Sequence, residues 1–268
     1  MKLYEISEDR RRYLRGKRRR KRAILACQFG LLIGFFVLWE VAARLGWIDS
    51  FILSQPSRIA TTYISLFQAD LFTHIGVTVY ETLAGFFLGV LLGLLVAVAL
   101  WWSPFLSKVS EPYLVVLNSL PKIALGPVII VIAGAGTSAI VFMALAISLV
   151  VTILEMLSGF HRTETEYVRM ARTFGATKAQ VFRKIVFPYN LPTLFNSLKV
   201  NIGLSLVGVI AGEFLVSKAG LGYLIVYGGQ VFKLDLVMAS VLILAVVAAL
   251  MYEAIALVQF LVMRKQGH

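Results

Sequence analysis

The side chains best placed to do chemistry are a few charged groups inside long apolar stretches. Lys122 stands between Pro121 and Pro127, and Glu213 lies in the segment VIAGEFLV. An ionised side chain at mid-bilayer costs at least roughly 2.5 to 3.5 kcal/mol, so we expect both groups to face protein or water. Each proline removes a backbone donor and bends or breaks a helix, which leaves carbonyls free near the Lys122 ammonium. These groups, together with Asn118, are candidates for the polar lining or gate of a path through a membrane.

A structural interpretation of the same residues stays open. Lys122 can sit at a proline kink and pair with a glutamate, and Glu213 can be the partner of such a cation instead of a gate residue. Three glycines are interpreted as packing residues that let helices approach closely: Gly203, Gly208 and Gly212. Four other glutamates lie toward the ends of apolar stretches and are interpreted as interfacial or structural: Glu40, Glu81, Glu155 and Glu253.

Several kinds of site are missing from the sequence. No G-x-x-x-x-G-K-[ST] motif occurs, so the chain is not expected to bind ATP phosphates. His74, His161 and His268 are scattered, and Cys27 is the only cysteine, which disfavours a metal site and a disulfide framework. We expect the intramembrane glutamates to form no cluster with a second acid or a metal ligand, as a hydrolase would need. We therefore expect no catalytic residue, no metal and no cofactor in this chain.

The composition is that of an integral membrane protein. Of 268 residues, 59% are hydrophobic and 15% are charged, and the mean hydropathy is +0.84. A soluble domain carries about a quarter charged residues. The formal net charge is +12, but 11 of the 26 Lys and Arg lie in residues 1–22, before the first apolar span. This pattern favours a cytoplasmic anchor beside anionic lipid headgroups over nucleic-acid binding.

The apolar runs predict an all-α protein with six transmembrane helices. The spans are residues 23–43, 77–102, 112–133, 138–160, 193–216 and 236–263, with a short interfacial helix after Pro56. With both ends in the cytoplasm, inner segments hold 20 Lys and Arg and outer segments hold 4. This asymmetry follows the positive-inside rule and predicts cytoplasmic N- and C-termini. The predicted organisation is a basic segment at 1–22, a first helix and external loop at 23–72, and a core at 73–263 with a cytoplasmic loop at 161–192.

That loop contains the longest polar segment between apolar neighbours, residues 163–188, TETEYVRMARTFGATKAQVFRKIVFP. Thr163 with Glu166 predicts one capping box, and Thr177 with Gln180 predicts a second. Gly175 is expected to end the first helix in a left-handed conformation, and a proline to end the second. One face of each helix is apolar, at Tyr167, Met170, Ala171 and Phe174 and at Val181, Phe182, Ile185 and Val186. Such short helices are marginal alone, so we expect the hairpin to dock on a protein or lie on anionic lipid.

The hairpin resembles the EAA loop of ATP-binding-cassette (ABC) importer permeases, whose pattern is E-A-A-x3-G-x9-I-x-L-P. Ala171, Gly175, Ile185 and Pro188 match at that spacing, whereas Arg169 stands where the family has glutamate. Met170 and Phe187 also depart from the pattern. The resemblance implies a coupling helix held in a groove of an ATPase subunit. The residues it assigns to this coupling are Arg169, Met170, Ala171, Arg172, Phe174, Gly175, Ala176, Ile185 and Pro188.

Further segments, PKIALGP at 121–127, GLGYLI at 220–225 and the Pro-Ser pair at 56–57, resemble the sulfonate, nitrate and taurine branch of these permeases. The resemblance implies a type I (MetI-like) permease fold, in a multi-pass protein of the bacterial cytoplasmic membrane. It also implies three partners: ATPase subunits that use ATP and Mg, an extracytoplasmic solute-binding protein, and a second permease copy or paralogue. The implied solute is a small anion or, alternatively, a thiamine- or riboflavin-type heterocycle. A self-sufficient channel or ion-coupled carrier is the alternative of a different class.

Overall fold

The computed structural model describes residues 8–68, 70–163 and 165–265, and every regular element within these ranges is helical. In chain order the helices are α1 (Glu8–Arg44), α2 (Ser50–Leu53), α3 (Pro56–Gln68), α4 (Leu71–Trp102), α5 (Pro104–Ser119), α6 (Gly126–Ala133), α7 (Thr137–Arg162), α8 (Thr165–Thr173), α9 (Lys178–Val181), α10 (Phe187–Tyr189), α11 (Leu191–Val216), α12 (Leu221–Gln230) and α13 (Leu234–Lys265). A 3₁₀ turn, Lys122–Leu125, joins α5 to α6, and a π turn, Phe182–Val186, joins α9 to α10. The predicted all-α class is confirmed.

Five helices in the described part of the chain are long and apolar enough to cross a membrane: α1, α4, α7, α11 and α13. A sixth crossing is possible if α5 and the segment Lys122–Ala133 together make one span, because they are bent by 85° at the break between them. The six predicted spans therefore correspond to five continuous helices and one broken pair.

The third predicted span, 112–133, is wrong in its boundaries. The helix begins earlier, at Pro104, because Ser103 caps it with a hydrogen bond of 3.3 Å from Leu106 N to Ser103 Oγ. Pro112 lies inside this helix, and the chain breaks at Leu120 and Pro121 instead. The sequence correctly places a proline-induced break near Lys122, but it does not show that residues 104–111 are helical.

The first helix contains both the end of the predicted basic segment, 1–22, and the predicted span, 23–43. It runs without interruption from Glu8 to Arg44. Residues 1–7 lie outside the described part of the chain. The predicted short helix after Pro56 is confirmed as α3, which packs on the start of α13 through Ile59, Leu66 and Leu236.

The centre of the bundle is α7, which packs between α4 and α11. A Cβ atom built on Gly85, Gly89 or Gly93 of α4 would collide with Ala144, Ser148 or Thr152 of α7, respectively. Small residues at every fourth position on both helices therefore let the two backbones approach closely. This contact positions the ends of α4 and α7, on which the candidate site is built.

Helix α11 also packs closely on α7, and it contacts Ala144 as α4 does. A Cβ on Gly208 would lie 2.8 Å from Ala144 Cα, and one on Gly212 would lie 3.1 Å from Ile140 Cα. The prediction that these two glycines allow close packing is confirmed. A Cβ on Gly203 would meet nothing within 4 Å, so no helix of the described chain approaches closely there.

Candidate functional site

The hairpin between α7 and α11 begins with α8, which ends in a Schellman motif. Gly175 has φ +77°, Gly175 N donates to Arg172 O at 2.9 Å, and Ala176 N donates to Ala171 O at 3.0 Å. These two bonds satisfy carbonyls that the end of a helix leaves without partners, and a residue with a Cβ is strained at this φ. The predicted helix stop at Gly175 is confirmed.

The second half of the hairpin begins with the predicted capping box. Gln180 N donates to Thr177 Oγ1 at 3.3 Å, and Thr177 N donates to Gln180 Oε1 at 2.8 Å. The prediction that Pro188 ends this helix is wrong, because Pro188 lies within α10 and the helical path continues to Tyr189. The helical path therefore ends one residue after Pro188, at Tyr189.

One side of the hairpin is fixed to the bundle by apolar packing. Val181 and Val186 are each 1% exposed and lie in one cluster with Ile153, Met156 and Phe160 of α7. Ala171 and Ala176 are half-buried against the same cluster. Of the residues assigned to coupling, these two therefore hold the hairpin in place and do not form its outer surface.

Two polar contacts fasten the hairpin further. Lys178 Nζ donates to the carbonyl oxygen of Trp102, at the end of α4, over 2.6 Å. Asn190 Nδ2 donates to Thr163 Oγ1 and to Val186 O, each at 2.8 Å, and Asn190 is 2% exposed. The hairpin is thus tied to α4 at one point and closed at its base by the contact between residues 163 and 190.

The opposite side of the hairpin is apolar, basic and exposed. Tyr167, Met170 and Phe174 are 49%, 57% and 83% exposed. Exposed cations lie on the same hairpin: Arg169, Arg172, Arg183 and Lys184. We call this surface the outer face. An apolar patch rimmed by polar residues is typical of a protein interaction site.

A cleft of about 780 Å³ adjoins the outer face. It is lined by Tyr167, Met170, Lys184, Ile185, Pro188, Tyr189, Pro192 and Met263. The cleft therefore brings together Met170, Ile185 and Pro188, which the sequence assigned to the same coupling element, and adds Met263 near the end of α13.

The candidate gate residues of the third span do not meet Glu213 as an ion pair. Lys122 Nζ donates to Asn118 O at 3.0 Å, across the break that contains Pro121. Glu213 is 2% exposed and accepts hydrogen bonds from Thr78 Oγ1 at 2.6 Å and from Gly222 N at 2.5 Å. The interpretation of Glu213 as the partner of Lys122 is therefore wrong, because hydroxyl and backbone donors hold its carboxylate.

Glu81 is a buried polar residue whose neighbour the sequence did not reveal. It is 1% exposed on α4, and its carboxyl group lies beside that of Glu213 on α11. The available signal is its spacing, because Glu81 precedes Gly85, Gly89 and Gly93 at the same four-residue interval and so shares the buried face of α4. Its burial rules out the interfacial position that the sequence allowed, and a structural position remains.

No group of three or more His, Cys, Asp or Glu side chains that could hold a metal ion occurs within residues 8–68, 70–163 and 165–265.

Comparison with known proteins adds to this geometry. Residues 89–267, which include the whole hairpin, match the model of the family "Binding-protein-dependent transport system inner membrane component". The chain is 28% identical to the formylaminopyrimidine transport permease protein ThiX of Halalkalibacterium halodurans, over 70% of this chain and 74% of that protein. It is 25% identical to the taurine transport system permease protein TauC of Escherichia coli, over 83% of each.

A solved structure of the inward-facing MetNI methionine ABC transporter contains a chain of the same fold. The TM-score is 0.65 at 21% identity, and the match covers 72% of this chain and 95% of that one.

Proposed function

The chain belongs to the family of binding-protein-dependent transport system inner membrane components, and from this premise we propose that its 161–192 hairpin couples an ATPase subunit to the membrane helices. As a family member it is the permease subunit of an ABC importer, a multi-pass protein of the bacterial inner membrane. It is a transport component and not an enzyme. ATP and Mg are used by separate partner subunits, and this chain binds no cofactor.

The observation that carries the coupling role is the contrast between the two sides of the hairpin. One side is packed into the bundle at Val181 and Val186, whereas Met170 and Phe174 on the outer face are largely exposed. Exposed apolar side chains on a polar loop have no partner within the described chain, and a groove on another protein would bury them. The ATPase subunit binds this face. When the ATPase subunits close on ATP, the hairpin moves together with α4 and α7.

The distribution of Lys and Arg supports a cytoplasmic location for the hairpin and both termini. Two copies of this chain, or one copy and a paralogous permease, form the translocation pathway between them. Asn118, Pro121 and Lys122 are exposed or half-exposed at the broken span and supply polar groups to that pathway. A solute-binding protein outside the membrane delivers the solute, and rigid-body alternating access moves it inward.

The proposed solute is a small sulfonate-like anion such as taurine, with nitrate as another member of this class. The similarity to the taurine permease supports it, and the Lys122 ammonium adds a positive charge at the broken span. A nitrogen heterocycle of the thiamine-precursor or riboflavin type is the second candidate, which the similarity to the formylaminopyrimidine permease favours. Uptake of labelled taurine and labelled formylaminopyrimidine, each competed by the other, distinguishes the two classes.

The coupling role is tested by purifying the tagged full chain in mild detergent from cells that also make its ATPase subunits. Met170→Glu combined with Phe174→Glu places charge on the outer face and should abolish co-purification of the ATPase. Phe51→Glu is the matched control, because Phe51 is 55% exposed on α2, outside the hairpin. An undiminished yield of ATPase with the double variant would contradict the proposal.

The orientation is tested by cysteine labelling in a Cys27→Ser background. Arg172→Cys should react with an impermeant maleimide only after the cells are permeabilised. Lys233→Cys, between α12 and α13 and exposed, should react in intact cells. Labelling of residue 172 in intact cells would place the hairpin outside and overturn the coupling role.

A further inference from the structure

Glu81 of α4 and Glu213 of α11 form a buried acid pair. Their side chains are 1% and 2% exposed. Glu81 follows Thr78 by one turn of α4, and Thr78 Oγ1 donates to Glu213 Oε1 at 2.6 Å, so the two carboxyl groups lie beside each other. Two ionised carboxylates in contact inside a protein repel strongly, and such a pair is stable when it shares a proton.

No cation balances the pair in the part of the chain that the structure describes. The ion pairs found there are Arg44 with Glu40 and Arg58 with Asp235. The groups that donate to the pair are instead uncharged, namely the Thr78 hydroxyl of α4 and the backbone N–H of Gly222 in α12. The Thr137 hydroxyl of α7 and the backbone N–H of Tyr223 lie close by and are uncharged as well. Since no cation is present there among the described residues, binding of one proton is what lowers the negative charge of the two carboxylates.

His74 is the histidine of α4 and lies one turn before Thr78. Its Nδ1 accepts a hydrogen bond of 3.0 Å from Gly220 N, and its ring stacks on Tyr223 with the centroids 6.0 Å apart. An Nδ1 that accepts a hydrogen bond carries no proton, so the ring is the neutral form and supplies no positive charge.

The hydrogen bonds identify Glu213 as the ionised member of the pair. Its Oε1 accepts from Thr78 Oγ1 at 2.6 Å, and its Oε2 accepts from Gly222 N at 2.5 Å. Gly222 lies in the first turn of α12, where free N–H groups and the helix dipole favour a negative charge. Gly220 and Gly222 leave room for this carboxylate, because a Cβ on either one would collide with Glu213.

Glu81 has the surroundings expected of the protonated member of the pair. Its Oε2 is fully buried, and no donor in the described chain reaches it. A buried carboxylate oxygen without a donor is costly, whereas a protonated oxygen is itself a donor and needs an acceptor. The neighbouring Glu213 carboxylate is such an acceptor.

We propose that Glu81 holds a proton and donates it in a hydrogen bond to the Glu213 carboxylate, so that the acid pair is a proton-binding site fastening the start of α12 to α4 and α11. Thr78 extends the network, since its Oγ1 also accepts from Leu221 N at 2.8 Å. The site is independent of the hairpin and of ATP, and it makes the position of α12 depend on one bound proton.

The proposal is tested by infrared spectroscopy of the full chain in lipid nanodiscs at neutral pH, with glutamate carboxyl groups labelled with ¹³C. The wild type should show the carbonyl band of a protonated carboxyl group. Glu81→Gln should remove one group's intensity from this band, because the amide replaces the acid and still donates to Glu213. Glu213→Gln should retain the band and shift it, because the acceptor is then a neutral amide.

Glu253→Gln is the matched control and should leave the band unchanged, since Glu253 is an exposed acid on α13. A wild type without the band would overturn the proposal, and this outcome requires no variant to fold. A Glu81→Gln protein with unchanged band intensity would also overturn it. If only Glu213→Gln lost the band, the proton would belong to Glu213 and not to Glu81, and the assignment would be refuted.

Discussion

Lys178 Nζ lies 2.6 Å from the carbonyl oxygen of Trp102, the last residue of α4, and joins the hairpin to the end of that helix. The ammonium also lies 5.4 Å from the centre of the Trp101 ring. The last carbonyls of a helix have no partner within it and carry the negative end of its dipole, so a cation is favourable there. The hairpin and the end of α4 are therefore held together at this point.

Replacing Lys178 by Met should reduce the free energy of unfolding by about 1 kcal/mol, because the hydrogen bond is lost while the aliphatic stem is kept. Unfolding of the purified protein in detergent, followed by circular dichroism, measures the change. Lys184→Met is the control, because Lys184 is exposed and should unfold as the wild type does. Equal effects of the two changes would show that the contact with Trp102 contributes nothing specific.

The contact between Asn190 and Thr163 predicts a larger effect at the base of the hairpin. Asn190→Ala removes the donor to the buried Thr163 hydroxyl and one of the two donors to the Val186 carbonyl, which keeps its bond from the backbone N of residue 190, so the free energy of unfolding should fall by about 1 to 3 kcal/mol. Thermal unfolding of the purified variant provides the measurement. Asn196→Ala, at an exposed position of α11, should have little effect, and a similar loss there would contradict this account.

The close approach of α4 and α7 predicts that a single added methyl group is destabilising. Gly89→Ala places a Cβ against Ser148 Oγ, and overpacking of this kind costs about 1 to 3 kcal/mol. Adding Ser148→Ala removes the colliding oxygen, so the double variant should recover part of the loss in a double-mutant cycle. Gly30→Ala is the control, since a Cβ there meets nothing within 4 Å. Additive effects of the two changes would show that Gly89 does not contact Ser148.

Local signals in the sequence predicted the turns of the hairpin but not the contacts between distant helices. Gly175 and Thr177 act on neighbours within four residues, so their conformations follow from the adjacent sequence. Glu81 and Glu213 are separated by more than 130 positions, and their meeting depends on how α7 packs against both α4 and α11. The start of α5 was missed for another reason: Ser103 and Pro104 form a helix start that an apolarity criterion does not detect.

Asp235 of α13 makes two contacts whose contributions to stability can be compared: an exposed ion pair with Arg58 of α3 and a hydrogen bond from the buried Ser54 hydroxyl. Asp235 accepts from Arg58 at 2.7 Å and from the Ser54 hydroxyl at 2.6 Å, and Ser54 is fully buried whereas the Arg58 side chain is 45% exposed. Arg58→Met should therefore cost less than about 1 kcal/mol, whereas Asp235→Ala should cost more because it also leaves Ser54 without an acceptor. Chemical denaturation of both variants compares the two values, and equal values would be inconsistent with this ranking.

Position 175 favours glycine because of its backbone conformation and not because a side chain would lack space. Its φ is +77° and a Cβ would meet nothing within 4 Å, so only the conformation restricts the residue. Asn adopts this conformation readily and a β-branched residue does not, so Gly175→Asn should transport nearly as the wild type does. Gly175→Val should insert into the membrane normally but separate ATP hydrolysis from solute uptake, because the Schellman motif that sets the angle between α8 and α9 is lost. Uptake and ATPase activity measured together in proteoliposomes test this, and normal uptake by the valine variant would show that coupling does not depend on the turn at Gly175.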